Sequence, residues 1–187
     1  AEGPKYTGET LVIGRGGKER RAGRYFLKTI EFSDIDVKKV MKKYHWLKEK
    51  GLPVVPTLRF DKKTKSLIAT DLSEGGKRIL VDRHHLLTGY GITADQIQNW
   101  DELQGGVESV AVRAYDDGKG MALDNDNYLV ALDKSGDKFI GQLYLADIGY
   151  GINFLKDLSP MERRSTTVET NKSWGRIFLK EIQGLPI

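Results

Sequence analysis

Cysteine is absent from this chain of 187 residues, so disulfides, thiolate metal sites and cysteine nucleophiles are excluded. Long apolar runs are absent too, and no stretch approaches the roughly 20 residues that a membrane-spanning helix requires. The N-terminus lacks the pattern of a secretory signal, so the cytoplasm is the expected location. The first residue is Ala1 rather than methionine, consistent with a cloning scar or a processed end. Histidine is scarce: His45, His84 and His85 form no metal-ligand spacing with other candidates, and the adjacent pair is expected at the surface. No serine–histidine–acid arrangement is apparent, and there are no internal repeats or low-complexity segments. The net charge is only +4, whereas a nucleic-acid-binding protein more often carries a concentrated basic stripe.

What is present is the composition of a globular chain, 39% hydrophobic and 30% charged, enough for one domain or two small lobes. Residues 10–13 and 24–32 read as strands, rich in β-branched and aromatic side chains, with Gly14, Gly16 and Gly17 between them. A basic stretch from Lys18 to Arg24 reads as a hairpin turning at Ala22-Gly23. Ser33 is a good helix N-cap, and Val37, Val40, Met41, Tyr44 and Leu47 follow at helical spacing with lysines opposite. Gly51 ends that helix and Pro53 prevents its resumption. Residues 54–60 and 66–71 read as a second hairpin. Leu72 to Gly76 then forms a flexible break, placing a boundary between a β-rich segment (1–72) and the rest (73–187).

Beyond the break, Thr93 and Gln96 suit a capping box. The helix expected to follow buries Ile97, Trp100 and Leu103 and is interrupted at Gly105-Gly106. Two strands come next, 128–132 and 143–147, hinged at Lys134 to Asp137. A last amphipathic helix carries Trp174, Ile177, Phe178 and Ile182.

The chemistry concentrates at the ends of those two strands. Asp124-Asn-Asp-Asn127 leads into the first, and the second delivers Asp147 into the turn Asp147-Ile-Gly149-Tyr-Gly151. A carboxylate before a glycine also suits a plain turn. Two clusters of hard oxygen donors at neighbouring strand ends suit Mg²⁺, which usually shares its shell with phosphates.

This order of parts resembles the protein-kinase-like superfamily over roughly residues 10–155. Tyr25-Phe-Leu-Lys28 looks like the strand whose lysine holds the nucleotide phosphates, and the helix after Ser33 looks like the regulatory helix. Leu67 to Gly76 looks like the hinge, with Thr70 and Leu72 at the positions that meet adenine. Asn127 looks like the metal-binding end of the catalytic loop, and Asp147-Ile-Gly149 like the Asp-Phe-Gly motif. The resemblance implies an α+β, reduced two-lobed kinase-like fold: a small antiparallel-sheet lobe with one helix and a truncated, mainly helical lobe. It implies ATP and Mg²⁺ as cofactors, with Gly14 and Gly16 close to the phosphates. The acceptor is a hydroxyl on an unidentified protein or small molecule, and no membrane is involved.

The family's catalytic aspartate stands five residues before the metal asparagine, a position occupied here by Ala122. Asp124 is therefore the candidate base in a shortened loop. The middle of the regulatory helix also lacks the glutamate that would pair with Lys28. These departures keep open a catalytically inactive pseudokinase that binds nucleotide or serves as a scaffold. A third reading, ranked below both, is a nucleic-acid or acidic-partner binding protein working through the lysines of residues 38–50 and the Lys18–Arg24 hairpin.

Overall fold

The computed structural model describes residues 9–12, 19–22, 25–28, 34–63, 66–116, 119–146, 148 and 152–187, with side chains from Val37 onward except Ser66 and Asp116. The described residues form an α+β structure of small antiparallel sheets and four α-helices.

In the first part, β1 (Glu9–Val12) pairs with β5 (Ser66–Thr70), which pairs in turn with β4 (Leu58–Asp61). The strands β2 (Glu19–Ala22) and β3 (Tyr25–Lys28) form the expected basic hairpin, with Glu19 opposite Lys28. Helix α1 (Asp34–Glu49) follows. It buries Val37, Val40, Tyr44 and Leu47, one face at 3.6-residue spacing. It ends as Gly51 requires: the Leu52 N–H donates to the Leu47 carbonyl at 3.0 Å and the Gly51 N–H to that of Lys48 at 3.0 Å. Gly51 has φ +69°, the left-handed conformation that a side chain resists. The Tyr44 hydroxyl donates to the carbonyls of Val55 and Pro56 at 2.8 and 2.9 Å, tying the helix to the approach to β4.

The segment expected to be a loose break is a capped turn. The Asp71 carboxylate, in a residue only 8% exposed, accepts from Ser73 N, Ser73 Oγ and Gly75 N at 2.7–2.9 Å. An aspartate capping its own downstream backbone is a favoured turn device. The chain then enters β6 (Ile79–Val81), a strand that three residues do not announce in sequence.

Strand β6 pairs with β9 (Tyr128–Ser135), which pairs with β10 (Lys138–Leu145). The β9–β10 hairpin turns where expected, with Gly136 at φ +65°. Helix α2 (Trp100–Ala114) leads into β7 (Tyr115–Asp116) and β8 (Lys119–Ala122), and β11 (Asn153–Phe154) pairs with the far side of β8. Two more helices close the chain, α3 (Pro160–Ser165) and α4 (Val168–Ile182).

Two local expectations need correction. The Thr93–Gln96 capping box exists, but it caps only a 3-10 turn, and Ile97 leaves it in extended conformation to bridge Phe139. Helix α2 starts three residues later, where Asn99 and Gly141 exchange two hydrogen bonds: Asn99 Nδ2 to the Gly141 carbonyl at 2.7 Å and Gly141 N to Asn99 Oδ1 at 2.8 Å. The helix then runs unbroken through Gly105-Gly106. A Cβ on Gly106 would stand 3.2 Å from Leu143 Cδ2, so the missing side chain lets α2 lie close to β10. In α4, Trp174 is 36% exposed. The buried face of α4 is Asn171, Gly175, Phe178, Leu179 and Ile182.

One apolar cluster joins the elements, running from Val40 and Leu47 of α1 through Leu67 of β5, Val107 of α2 and Val130 of β9 to Phe178 of α4. The Leu145 N–H donates to the Pro53 carbonyl at 2.7 Å, so the end of β10 and the stretch after α1 meet directly.

Candidate functional site

The loop 124–127 is built by its own side chains. Asp124 accepts from the Asp126 N–H at 2.9 Å, and Asn127 Oδ1 accepts from the Asp124 N–H at 2.8 Å. The two candidate residues thus form a reciprocal capping box around a single 3-10 turn. Asn127 is fully buried, and its Nδ2 has no hydrogen-bond partner among the described residues. The Asp124 N–H fixes the amide's orientation, since a flip would set donor against donor. The main-chain carbonyl of Asn127 accepts from Ala146 N at 2.8 Å. The catalytic-loop candidate is therefore joined to the residue that immediately precedes Asp147.

The loop is braced by residues far away in sequence. Asn171 of α4 is fully buried; its Oδ1 accepts from Leu123 N and its Nδ2 donates to the Met121 carbonyl, each at 3.2 Å. Asn125 donates to Glu181 Oε1. Arg83 pairs with Asp126 at 3.0 Å and with Glu181 at 3.6 Å, and His84 Nε2 stands 3.7 Å from Asp126. Beneath the loop, Tyr128 stacks on Phe178 with centroids 5.4 Å apart. Its hydroxyl is buried without a partner among the described residues. Burial first, then the nearby negative charge of Asp124 and Glu108, pushes that hydroxyl well above the ordinary tyrosine range.

The remaining candidates are distributed as follows. Ala122 is a β8 residue opposite Asn153, so its place in the shortened loop is filled by strand. Thr70 ends β5; its hydroxyl lies 2.8 Å from that of Thr57, and its N–H donates to the Thr57 carbonyl at 3.1 Å. That N–H is already committed to the residue that precedes β4. Leu72 is half-buried in the turn capped by Asp71. Lys28 closes β3 by its backbone, and its side chain lies outside the described residues, as do Gly14, Gly16 and Asp147 altogether. His84 and His85 are exposed, as expected.

Among the described residues, no group of three or more His, Asp or Glu side chains is arranged to hold a metal ion, and no helix is long and apolar enough to cross a membrane. Mg²⁺ does not require such a cage, because one or two carboxylates plus substrate phosphates suffice. Asn127 Oδ1 keeps a second lone pair beside the one given to Asp124 N–H, so its donor chemistry fits.

The bracing residues Arg83, Asn171 and Glu181 escape sequence reasoning, because nothing in their own neighbourhoods points to residues 121–127. No protein-family model, curated protein or solved structure matches the chain.

Proposed function

We propose that this protein is a reduced, two-lobed kinase-like phosphotransferase that uses MgATP to phosphorylate a hydroxyl on a protein or small molecule. The observation that carries the reading is the Ala146–Asn127 hydrogen bond at 2.8 Å. It joins the Asp124–Asn127 turn to the strand end that runs into Asp147, as a catalytic loop and an Asp-x-Gly metal segment require. The order of elements is hairpin, helix α1, hairpin, capped turn, β6, α2, the β7–β8 pair, polar loop and the β9–β10 hairpin; the loop and the hairpin that carry the candidate residues follow α2 and β7–β8. In this reading Lys28 holds the nucleotide phosphates, Gly14 and Gly16 lie over them, and Thr70 and Leu72 flank the adenine. Asn127 and Asp147 hold Mg²⁺, which supplies positive charge against the phosphate oxygens. Asp124 orients or deprotonates the acceptor hydroxyl.

The test is γ-phosphate transfer or ATP hydrolysis by purified protein. Asp124→Asn keeps the cap, because asparagine caps as well as aspartate, yet it removes the base. Turnover should fall about 10²- to 10⁴-fold with an unchanged melting temperature. If wild-type and Asp124→Asn protein turn over alike, Asp124 is not the base.

A second reading, an inactive nucleotide-binding module, is favoured by one observation: the Asp124 carboxylate is already engaged by the Asp126 N–H. It predicts a rise in melting temperature with MgATP and no phosphate release.

A further inference from the structure

The structure assembles a basic and aromatic surface that the sequence keeps apart. Along α1, Lys39, Lys42 and Trp46 stand at steps of three and four residues, and Lys50, one residue past the helix end with its N–H on the Trp46 carbonyl at 3.1 Å, continues the stripe. All three lysines are exposed, and Trp46 is half-buried. Phe154 of β11, also half-buried, lies against Trp46 with ring centroids 6.1 Å apart and planes at 84°. Lys42 Nζ is 6.0 Å and Lys156 Nζ 5.5 Å from the centre of the Phe154 ring, and Lys50 Nζ is 5.6 Å from that of Trp46. Beneath this layer Lys43 is 7% exposed. Burial pulls its ammonium below the ordinary lysine range, and the charge of Asp157 opposes the fall. Six lysines occur between residues 38 and 50 against one acid, Glu49.

We propose that this surface binds single-stranded nucleic acid, tracked by the lysines and stacked on the Phe154–Trp46 edge. A positive track with aromatic rings set into it is the combination that holds unpaired strands. A duplex keeps its base faces stacked and offers none to the rings. An acidic peptide matches the charge but brings no flat base to take the place of the lysine ammonium groups that lie over Phe154 and Trp46. A bilayer needs an apolar face to insert, and α1 has buried its own in the core. From Lys39 to Lys50 the stripe is about 16 Å long, a span that suits the small end of the site sizes of such proteins, about 4–16 nucleotides. The inference does not depend on the phosphotransferase reading.

Fluorescence anisotropy with a labelled oligothymidylate tests it. Binding should weaken steeply from about 50 to about 200 mM salt, with a logarithmic slope of about −3 for four lysines. Lys42→Ala with Lys156→Ala should reduce that slope by about 1.4. Phe154→Leu keeps an apolar side chain against Trp46 and should cost about tenfold in affinity; its melting temperature serves as the folding control. Saturating MgATP should not displace the strand. Absence of binding at low salt overturns the proposal. So does polyglutamate binding as tightly as the oligonucleotide with Phe154→Leu without effect, which makes the surface a dock for acidic protein. Displacement by MgATP also overturns it, because the strand then occupies the nucleotide cleft.

Discussion

Asn171 holds the main chain at Leu123 and Met121 from 48 and 50 residues away. Those two contacts set the backbone that delivers Asp124, so a residue of α4 acts on the loop without touching its carboxylate. Asn171→Ala leaves a buried N–H and a buried carbonyl without partners. The expected cost is about 2–3 kcal/mol, at about 1–3 kcal/mol for each buried unsatisfied group with some relaxation, measured by urea denaturation. Asn171→Asp should not rescue it, because a carboxylate cannot donate to the Met121 carbonyl. At this scale the sequence was half legible. Asp124 and Asn127 stood out as oxygen donors leading into an apolar strand, and the structure makes them a capping pair. Arg83, Asn171 and Glu181 were invisible, because a tertiary contact across many tens of residues leaves no local spacing to read.

Elements were legible where local rules suffice. Helix α1 carries its stop signal in Gly51, and the β9–β10 hairpin carries its turn in Gly136-Asp137. Strand β6 has three residues and pairs with a strand some fifty positions on, so its existence depends on β9 rather than on its own pattern. Helix α2 shows the opposite failure. Its two glycines read as an interruption, but packing on β10 overrides their poor propensity. Glycines at different helix positions should therefore respond oppositely to substitution. A Cβ on Gly105 would meet nothing within 4 Å among the described residues, whereas one on Gly175 would stand 2.7 Å from Val107 Cβ across the α2–α4 contact. Gly105→Ala should stabilise by about 0.5–1 kcal/mol, and Gly175→Ala should destabilise by about 1–3 kcal/mol, both read from thermal unfolding.

The same pair of helices carries a charge lock. Arg176 donates to both carboxylate oxygens of Glu108, at 2.6 and 3.1 Å, and Lys172 adds a contact at 3.5 Å. The hydrogen bonds from Arg176, opposed by a smaller cost of burial, hold the Glu108 carboxyl below the ordinary glutamate range. A depressed folded value means that the contribution is present in full above the unfolded glutamate pKa, about 4.3, and is lost as pH falls through the folded one. The melting-temperature gap between wild-type and Glu108→Gln protein should be constant from neutral pH to about 5 and close in stronger acid. A gap that persists below that range would assign the effect of the substitution to packing.

For the molecule as a whole, the α+β character was legible and the pattern of surface chemistry was not. The α+β composition follows from segment periodicities, whereas the basic surface needs Phe154 and Lys156 beside α1, more than a hundred residues from its lysines. The central claim concerns the chain as one unit. Lys28, Asn127 and Asp147, drawn from three separated segments, are to hold a single nucleotide. Calorimetric titration of wild-type and Asp147→Asn protein with ATP, with and without Mg²⁺, tests it most directly. The account predicts saturable binding of one nucleotide per chain that requires Mg²⁺ and is largely lost in Asp147→Asn. ATP binding that ignores both Mg²⁺ and the Asp147 substitution, or no binding at all, would contradict it.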